Sequence, residues 1–380
     1  MSKDPDQQYF SDGITEDLTT ALSQISSLFV IARNSAFTYK GKAVKVQEVG
    51  RELGVRYVLE GSVRRADDQV RITAQLVDAT TDSHVWAERY DRPLKDIFAL
   101  QDEIVRKIVT TLKLQLTLWE QGILVRRRTD NLEAYDYFLR GVGSWWRFTK
   151  EANVQARQMY EKAIELDPQY AQAYTFLGLT YWLDWYLQWN PDSQNLGRAF
   201  ELTQKAVALD DSLPMAHTLL GWVYLMKTQH AQAIAEMERD VSISPNSADG
   251  YVSLGLVLAY AGRAEEGIGL IEKGMRIDPR YPLPYLSYLG HAYRMAGRYE
   301  EAIAACKKAV VHNPNYLPAH IFLAATYGEL GREEEAQAEA TTVLRISPNF
   351  SVEEMRQRLP YKDLAAMERF LAGLRKAGLK

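Results

Sequence analysis

The side chains that could do chemistry in this 380-residue chain are few and widely spaced. Six histidines, His84, His217, His230, His291, His312 and His320, offer no i, i+4 pair to hold a metal on one helical turn. They read as packed or rim side chains. The single cysteine, Cys306, reads as a small core hydrophobe. One cysteine also excludes an internal disulfide and a finger-type zinc cluster, and fits a reducing compartment. The sequence holds no GxxxxGK[ST], HExxH, GxSxG or GxGxxG. Gly41-Lys42 lacks the upstream glycine of a phosphate loop. No catalytic residue, cofactor or metal is therefore expected, and the chain reads as non-enzymatic. Arg126-Arg127-Arg128 could touch phosphate, but a triple arginine beside a helical array reads better as a solvated face or an interdomain ion-pair point. Arg64-Arg65 is compensated by the Asp67-Asp68 turn beside it.

Composition narrows the classes further. Apolar residues make up 47% and charged residues 25%, the balance of a soluble globular protein. A net charge of −4 argues against nucleic acid as a partner. The longest apolar runs, such as Leu254 to Ala261, fall short of the ~20 residues of a spanning helix. The polar, acidic start, Met1 to Phe10, is no signal peptide. The expected location is the cytoplasm, with no membrane contact by this chain; a membrane segment elsewhere in a longer protein stays open.

The elements that position these side chains repeat. HTLLGWVY, YVSLGLVLAYAG and YLGHAYRMAGRYEEAIAACKKAVVHNP recur at a spacing of about 34 residues. Pro168, Asp211, Pro245, Pro279, Pro314 and Pro348 close successive units, because proline cannot continue a helix. Gly178, Gly221, Gly255 and Gly290 sit inside each first helix. Ala199, Ala233, Gly267, Ala302 and Ala336 sit early in each second helix. Both sets mark close packing between antiparallel helices. From about Leu132 to Ser347 the chain resembles the tetratricopeptide repeat family, with extra residues around GVGSWWRF and around Tyr186 to Ser193. The implied fold is an all-α superhelical solenoid of about six units over residues 132–350. Residues 351–380 are expected to form a capping helix, with Leu364, Met367, Phe370, Leu371 and Leu374 on one side.

In such an array the first helix of each pair lines a groove. The inward positions here hold Trp182, Trp222, Met226, Tyr260, His291 and Arg294, and the insertion adds Trp185 and Trp189. Large aromatic and methionine side chains suit a protein or peptide ligand, although several could be ordinary interhelix packing. Leu179, Trp222, Leu256, His291 and Ala325 stand where chaperone-binding repeats keep carboxylate-clamp residues, so that specificity is not expected.

The first 118 residues have another character. Ile14, Leu18, Ala21, Leu22 and Ile25 share a helical face. LFVIARNSAF reads as a strand, and Val44 to Leu53 as a helix capped by Gly54. RYVLEGSVRR, QVRITAQLVDA and HVWAERYD read as strands, the first two joined at Asp67-Asp68. A helix from Lys95 to about Leu118 should run towards the repeats through a 119–131 linker. This is an α+β pattern. YFSDGITEDL, VIARNSAFTYKGKA, VGRELGVRYVLEGSVRR and VRITAQLVDATTDSHVWAERYDR closely resemble the TolB amino-terminal-like domain. That bacterial module accompanies tetratricopeptide repeats in class III adenylate/guanylate cyclase proteins and in some winged-helix regulators. In it, a hydrophobic strand and an Asn-Met-Ser-x-Asp-Pro loop precede the YFSDG stretch. Met1-Ser2-Lys3-Asp4-Pro5 matches that loop, so the domain is expected to lack its first strand. A bare sheet edge invites another chain, and a homodimer through this domain follows.

The leading expectation is a non-catalytic interaction and regulatory module of a bacterial signalling protein. The alternatives are that the parent protein is a nucleotide cyclase whose catalytic domain is absent here, or a winged-helix transcriptional regulator.

Overall fold

The computed structural model describes residues 5–117, 120–121, 129–190 and 192–380. Arg126-Arg127-Arg128 and Met1 to Asp4 lie outside the described residues. Two compact units divide the chain: Met1–Leu220 with Asp240–Asn246, and Gly221–Arg239 with Ser247–Lys380.

The first unit opens with helix α1, Pro5–Ser23. Short helices α2, Arg33–Phe37, and α3, Val46–Leu53, follow, the second capped by Gly54 at φ 68°. Strands β1, Tyr57–Ala66, β2, Gln69–Asp78, and β3, Ser83–Pro93, form an antiparallel sheet in sequence order. Asp67 turns the first hairpin at φ 50° and Asp82 the second at φ 57°, a conformation aspartate tolerates. Val70, Ile72, Ala74 and Leu76 are buried on one face of β2. Val77, on the opposite face, is buried too, and beside it the β2–β3 register shifts, with Val85 of β3 as the extra residue.

Two expectations fail in this unit. LFVIARNSAF is not a strand: the Val30 amide donates to Asn246 Oδ1 at 3.3 Å rather than to a ladder, and helix α2 starts at Arg33. The Arg33 guanidinium lies 3.8 Å over the Phe37 ring. The helix expected to reach Leu118 is shorter. It comprises a 3-10 turn, Leu94–Asp96, and α4, Ile97–Thr111, and ends before Lys113, whose φ is 55°. The chain then folds back, and Leu114 and Leu116 pack on Ile25, Val105 and Val109. Glu120 fixes this return, accepting from the Ser26 amide and hydroxyl, both at 2.8 Å, and from the Thr117 amide at 2.6 Å. Burial opposes its charge, but these bonds win and hold the carboxyl at about 2.

The same unit carries the first helix pairs: α5, Leu132–Trp145, with α6, Lys150–Leu166, and α7, Ala171–Tyr186, with α8, Asn195–Leu209. Helix α1 docks on α5. Tyr9 donates to Asp136 at 2.7 Å, Tyr135 donates to Asp17 at 2.6 Å, and Arg65 pairs with Asp136 at 2.7 Å. Sheet and first repeats thus share one compact body.

Helices α9, Pro214–Met226, and α10, His230–Ile243, are each shared between the two units. In the second unit α11, Ala248–Tyr260, pairs with α12, Ala264–Ile277. Next come α13, Leu283–Met295, with α14, Tyr299–His312, and α15, Leu317–Leu330, with α16, Glu333–Ile346. A Cβ on Gly255 would lie 2.5 Å from the Gly267 carbonyl oxygen, so the two backbones touch at the helix crossing. One feature recurs in every repeat. The residue closing each first helix takes a positive φ: Phe148 51°, Gln188 54°, Thr228 57°, Gly262 88°, Gly297 76° and Gly331 72°. In the last three an arginine follows and pairs forward within its own helix, Arg263–Glu266, Arg298–Glu301 and Arg332–Glu335. Arg298 and Arg332 also reach back one repeat, to Glu265 and Glu300.

The expected single terminal helix is broken. Helix α17, Val352–Arg356, and α18, Leu364–Lys376, flank an irregular strap around Pro360 and Tyr361, since proline cannot sit inside a helix. Helix α18 packs on α15 so closely that a Cβ on Gly328 would lie 2.1 Å from the Gly373 carbonyl oxygen.

Candidate functional site

Helices α11 and α13 present neighbouring first-helix faces in the second unit, and the strap bonds to both. Tyr361 is the centre. Its hydroxyl accepts a hydrogen bond from Arg294 and lies 3.3 Å from His291 Nε2. Its ring sits edge-on to Tyr260 at 5.2 Å and to His291 at 5.6 Å. Phe370 of α18 closes the cluster, with the Arg294 guanidinium 4.6 Å over its ring. Two backbone bonds tie the strap on either side of the tyrosine: His230 Nε2 meets the Pro360 carbonyl at 2.7 Å, and the Lys362 amide donates to the Tyr260 carbonyl at 3.0 Å.

Burial sets the electrostatics. The imidazole of His291 is held well below its ordinary range, by burial first and then by the Arg294 charge, so it is neutral. Burial opposes the Arg294 charge too, but Tyr361 and the ion pair with Glu329 outweigh it. Burial also pushes the Tyr361 hydroxyl up to about 12. Arg294 donates to the tyrosine oxygen, and neutral His291 lies within hydrogen-bond reach of the same hydroxyl.

Tyr260, His291 and Arg294 are brought together in one cluster. They do not face solvent, because the chain's own Tyr361 and Phe370 cover them; Arg294 is 4% exposed. The sequence signal was available in α11, where every residue except Asp249 is buried or apolar-packed: a helix apolar all round is covered on more than one side. Trp222 is half-buried, its ring 6.4 Å from Tyr288, and Met226 is half-buried as well.

Trp182, Trp185 and Trp189 belong to the first unit and are half-buried. Trp182 stacks on Tyr186 with ring centroids 4.7 Å apart. Trp189 meets Phe148 edge-on at 5.7 Å. Phe148 and Trp146, not singled out from the sequence, are 58% and 41% exposed. Phe148 also holds the left-handed conformation that the later repeats give to glycine, at a cost of about 1–2 kcal/mol.

The remaining candidates are structural. His217 and His320 bond the preceding loop carbonyls of Asp211 and Pro314 at 2.8 and 3.1 Å. Cys306 is buried under Gly290, and burial pushes its thiol up to about 12, which leaves it unreactive. Among the described residues, no group of three or more His, Cys, Asp or Glu could hold a metal ion. None of the described helices is long and apolar enough to cross a membrane.

Family models described as tetratricopeptide repeat match residues 284–316 and 317–350, which are the α13–α14 and α15–α16 pairs. The chain carries tetratricopeptide repeats. A Rhizobium meliloti (strain 1021) protein named "Putative adenylate cyclase 3" is 50% identical over 206 residues, 53% of this chain and 35% of the relative. A Mycosarcoma maydis protein named "Small glutamine-rich tetratricopeptide repeat-containing protein 2" is 28% identical over 116 residues, 30% of this chain and 33% of the relative. The matches therefore span about a third of each relative's length. Among solved structures, a chain of the APC/C hetero-tetramer Cut9–Hcn1 superposes with a TM-score of 0.51 at 16% identity, covering 75% of this chain and 53% of that one. That likeness is one of fold.

Proposed function

We propose that this chain is a non-catalytic protein-protein interaction and regulatory module of a bacterial signalling protein, and that its exposed partner surface lies on the first tetratricopeptide repeats. The observation that carries this reading is Phe148. A phenylalanine at φ 51°, 58% exposed, is strain spent on presenting an apolar ring to water. Trp189, edge-on to Phe148 at 5.7 Å, extends the same aromatic surface. Phe148→Gly is expected to stabilise the fold by about 1 kcal/mol and to release the partner. Thermal melts and co-purification from the source cell, with wild type and variant side by side, check both halves. A variant that is more stable and keeps its partner would refute the surface.

The relative named as an adenylate cyclase supports a cyclase-linked setting for the module. Cyclic AMP formed by the purified chain from ATP and Mn²⁺ would overturn the non-catalytic reading. The residues before the repeats, with their β1–β3 sheet, are proposed as a TolB amino-terminal-like domain.

That domain is also proposed to dimerise. Among the described residues β1 pairs on one side only, with β2. Because Ala66 and Gln69 flank a two-residue turn, residues 57, 59, 61, 63 and 65 direct their backbone groups outward. Leu59 and Val63 remain only half-buried there, whereas their β2 partners Leu76 and Ile72 are buried. Light scattering should give a dimer for the wild type and a monomer for Val63→Pro, which removes an outward donor without breaking the β1–β2 ladder. A monomeric wild type would end the proposal.

A further inference from the structure

The strap does more than close the end of the array. It is an irregular segment held against the first helices α11 and α13 and the start of α10, and its interactions are those of a ligand: one side chain seated in a polar cage and hydrogen bonds to its main chain on both flanks. Pro360 and Tyr361 are buried, while Gln357, Lys362 and Asp363 beside them are exposed. The cage is specific for a phenol. Arg294 donates to the hydroxyl oxygen, His291 lies within hydrogen-bond reach of the same hydroxyl, and Tyr260 and Phe370 flank the ring.

We propose that the first-helix face of the second unit is a binding site for an extended peptide carrying Pro-Tyr, and that the chain's own residues 357–363 occupy it in cis as an autoinhibitory ligand. The partner's chemistry follows from the occupant. A proline at the first anchor pre-orders the extended backbone and leaves its carbonyl for His230. A tyrosine at the second supplies the hydroxyl that both Arg294 and His291 read. Phenylalanine would leave buried His291 Nε2 without its partner and take one acceptor from Arg294, which is why discrimination should be strong. The site is separate from the aromatic surface around Phe148, and either can fail without the other.

The test uses a fluorescent peptide, Arg356 to Leu364 of this chain, and the full-length protein. Anisotropy should show at least tenfold tighter binding to the Tyr361→Ala chain than to wild type. The same peptide with phenylalanine for tyrosine should bind that variant at least tenfold more weakly than the parent peptide. Tyr361→Phe keeps the ring in place and loses only the hydroxyl; it should also bind the parent peptide better than wild type does, and it serves if the alanine variant does not fold. A folded variant that ignores the peptide, or that binds both peptides equally, overturns the proposal. So does a Val63→Pro chain, blocked at the sheet edge, that still dimerises but becomes monomeric when Tyr361→Ala is added, because the occupant would then act in trans.

Discussion

Asp184→Ala is expected to cost the first unit about 3–5 kcal/mol, more than any surface change in that unit. Asp184 is 2% exposed and sits between α6 and α7. It accepts from Arg157 Nη2 at 2.8 Å and from Asn153 Nδ2 at 2.9 Å. Arg157 also donates to the Thr180 carbonyl and hydroxyl, both at 3.0 Å, and lies 4.0 Å over the Tyr181 ring. Removing the carboxylate leaves a largely buried guanidinium without its counter-charge, and that uncompensated charge dominates the loss. Arg157→Met in the same chain should restore much of the stability. Urea unfolding of the single and double variants measures this; a single-variant loss under about 1 kcal/mol would show the pair to be well solvated.

Gly373→Val should detach the terminal helix from the array. A Cβ at position 373 would lie 2.3 Å from the Ala325 carbonyl oxygen, a backbone atom that cannot step aside. Helix α18 must then move off α15, and Phe370, Leu371 and Leu374, all fully buried, lose their cover. Exposing three such side chains costs about 4–6 kcal/mol before any relaxation. Hydrogen exchange should locate the change: faster exchange in α18, with the amides of α5 to α8 unaffected. Unchanged protection in α18 would mean that the crossing has room the backbone does not show.

The repeats were legible because their signals are local. Pro168, Pro245, Pro279, Pro314 and Pro348 each fall two residues beyond the end of a second helix. The β1–β2 hairpin was legible for the same reason, through alternation and a two-residue turn. What escaped depends on distant partners. Nothing in LFVIARNSAF says that Asn246, more than two hundred residues away, will take the Val30 amide in place of a strand neighbour. Gly262, Gly297 and Gly331 announce the left-handed position after each first helix, but Phe148, Gln188 and Thr228 adopt it without glycine, so pattern alone passed over them. Register placed Tyr260, His291 and Arg294 on the inward faces of their helices. That they would be covered depended on RLPYKDL, whose proline breaks the terminal helix and frees Tyr361 to turn inward.

Tyr361 is tethered, and that fixes the terms on which any other peptide could replace it. It hangs between α17 and α18, both packed on the same unit, so it meets its cage at an effective concentration in the millimolar range. A free peptide with the same contacts, present at ~1 µM, is outcompeted about a thousandfold. Exchange therefore selects for partners that bring additional contacts, or for events that loosen the tether. On the proposal that the strap is an exchangeable ligand, the groove is a threshold device: it would ignore weak Pro-Tyr sequences at cellular abundance and respond only to a ligand delivered at high local concentration, as when the partner is already docked elsewhere on the same chain.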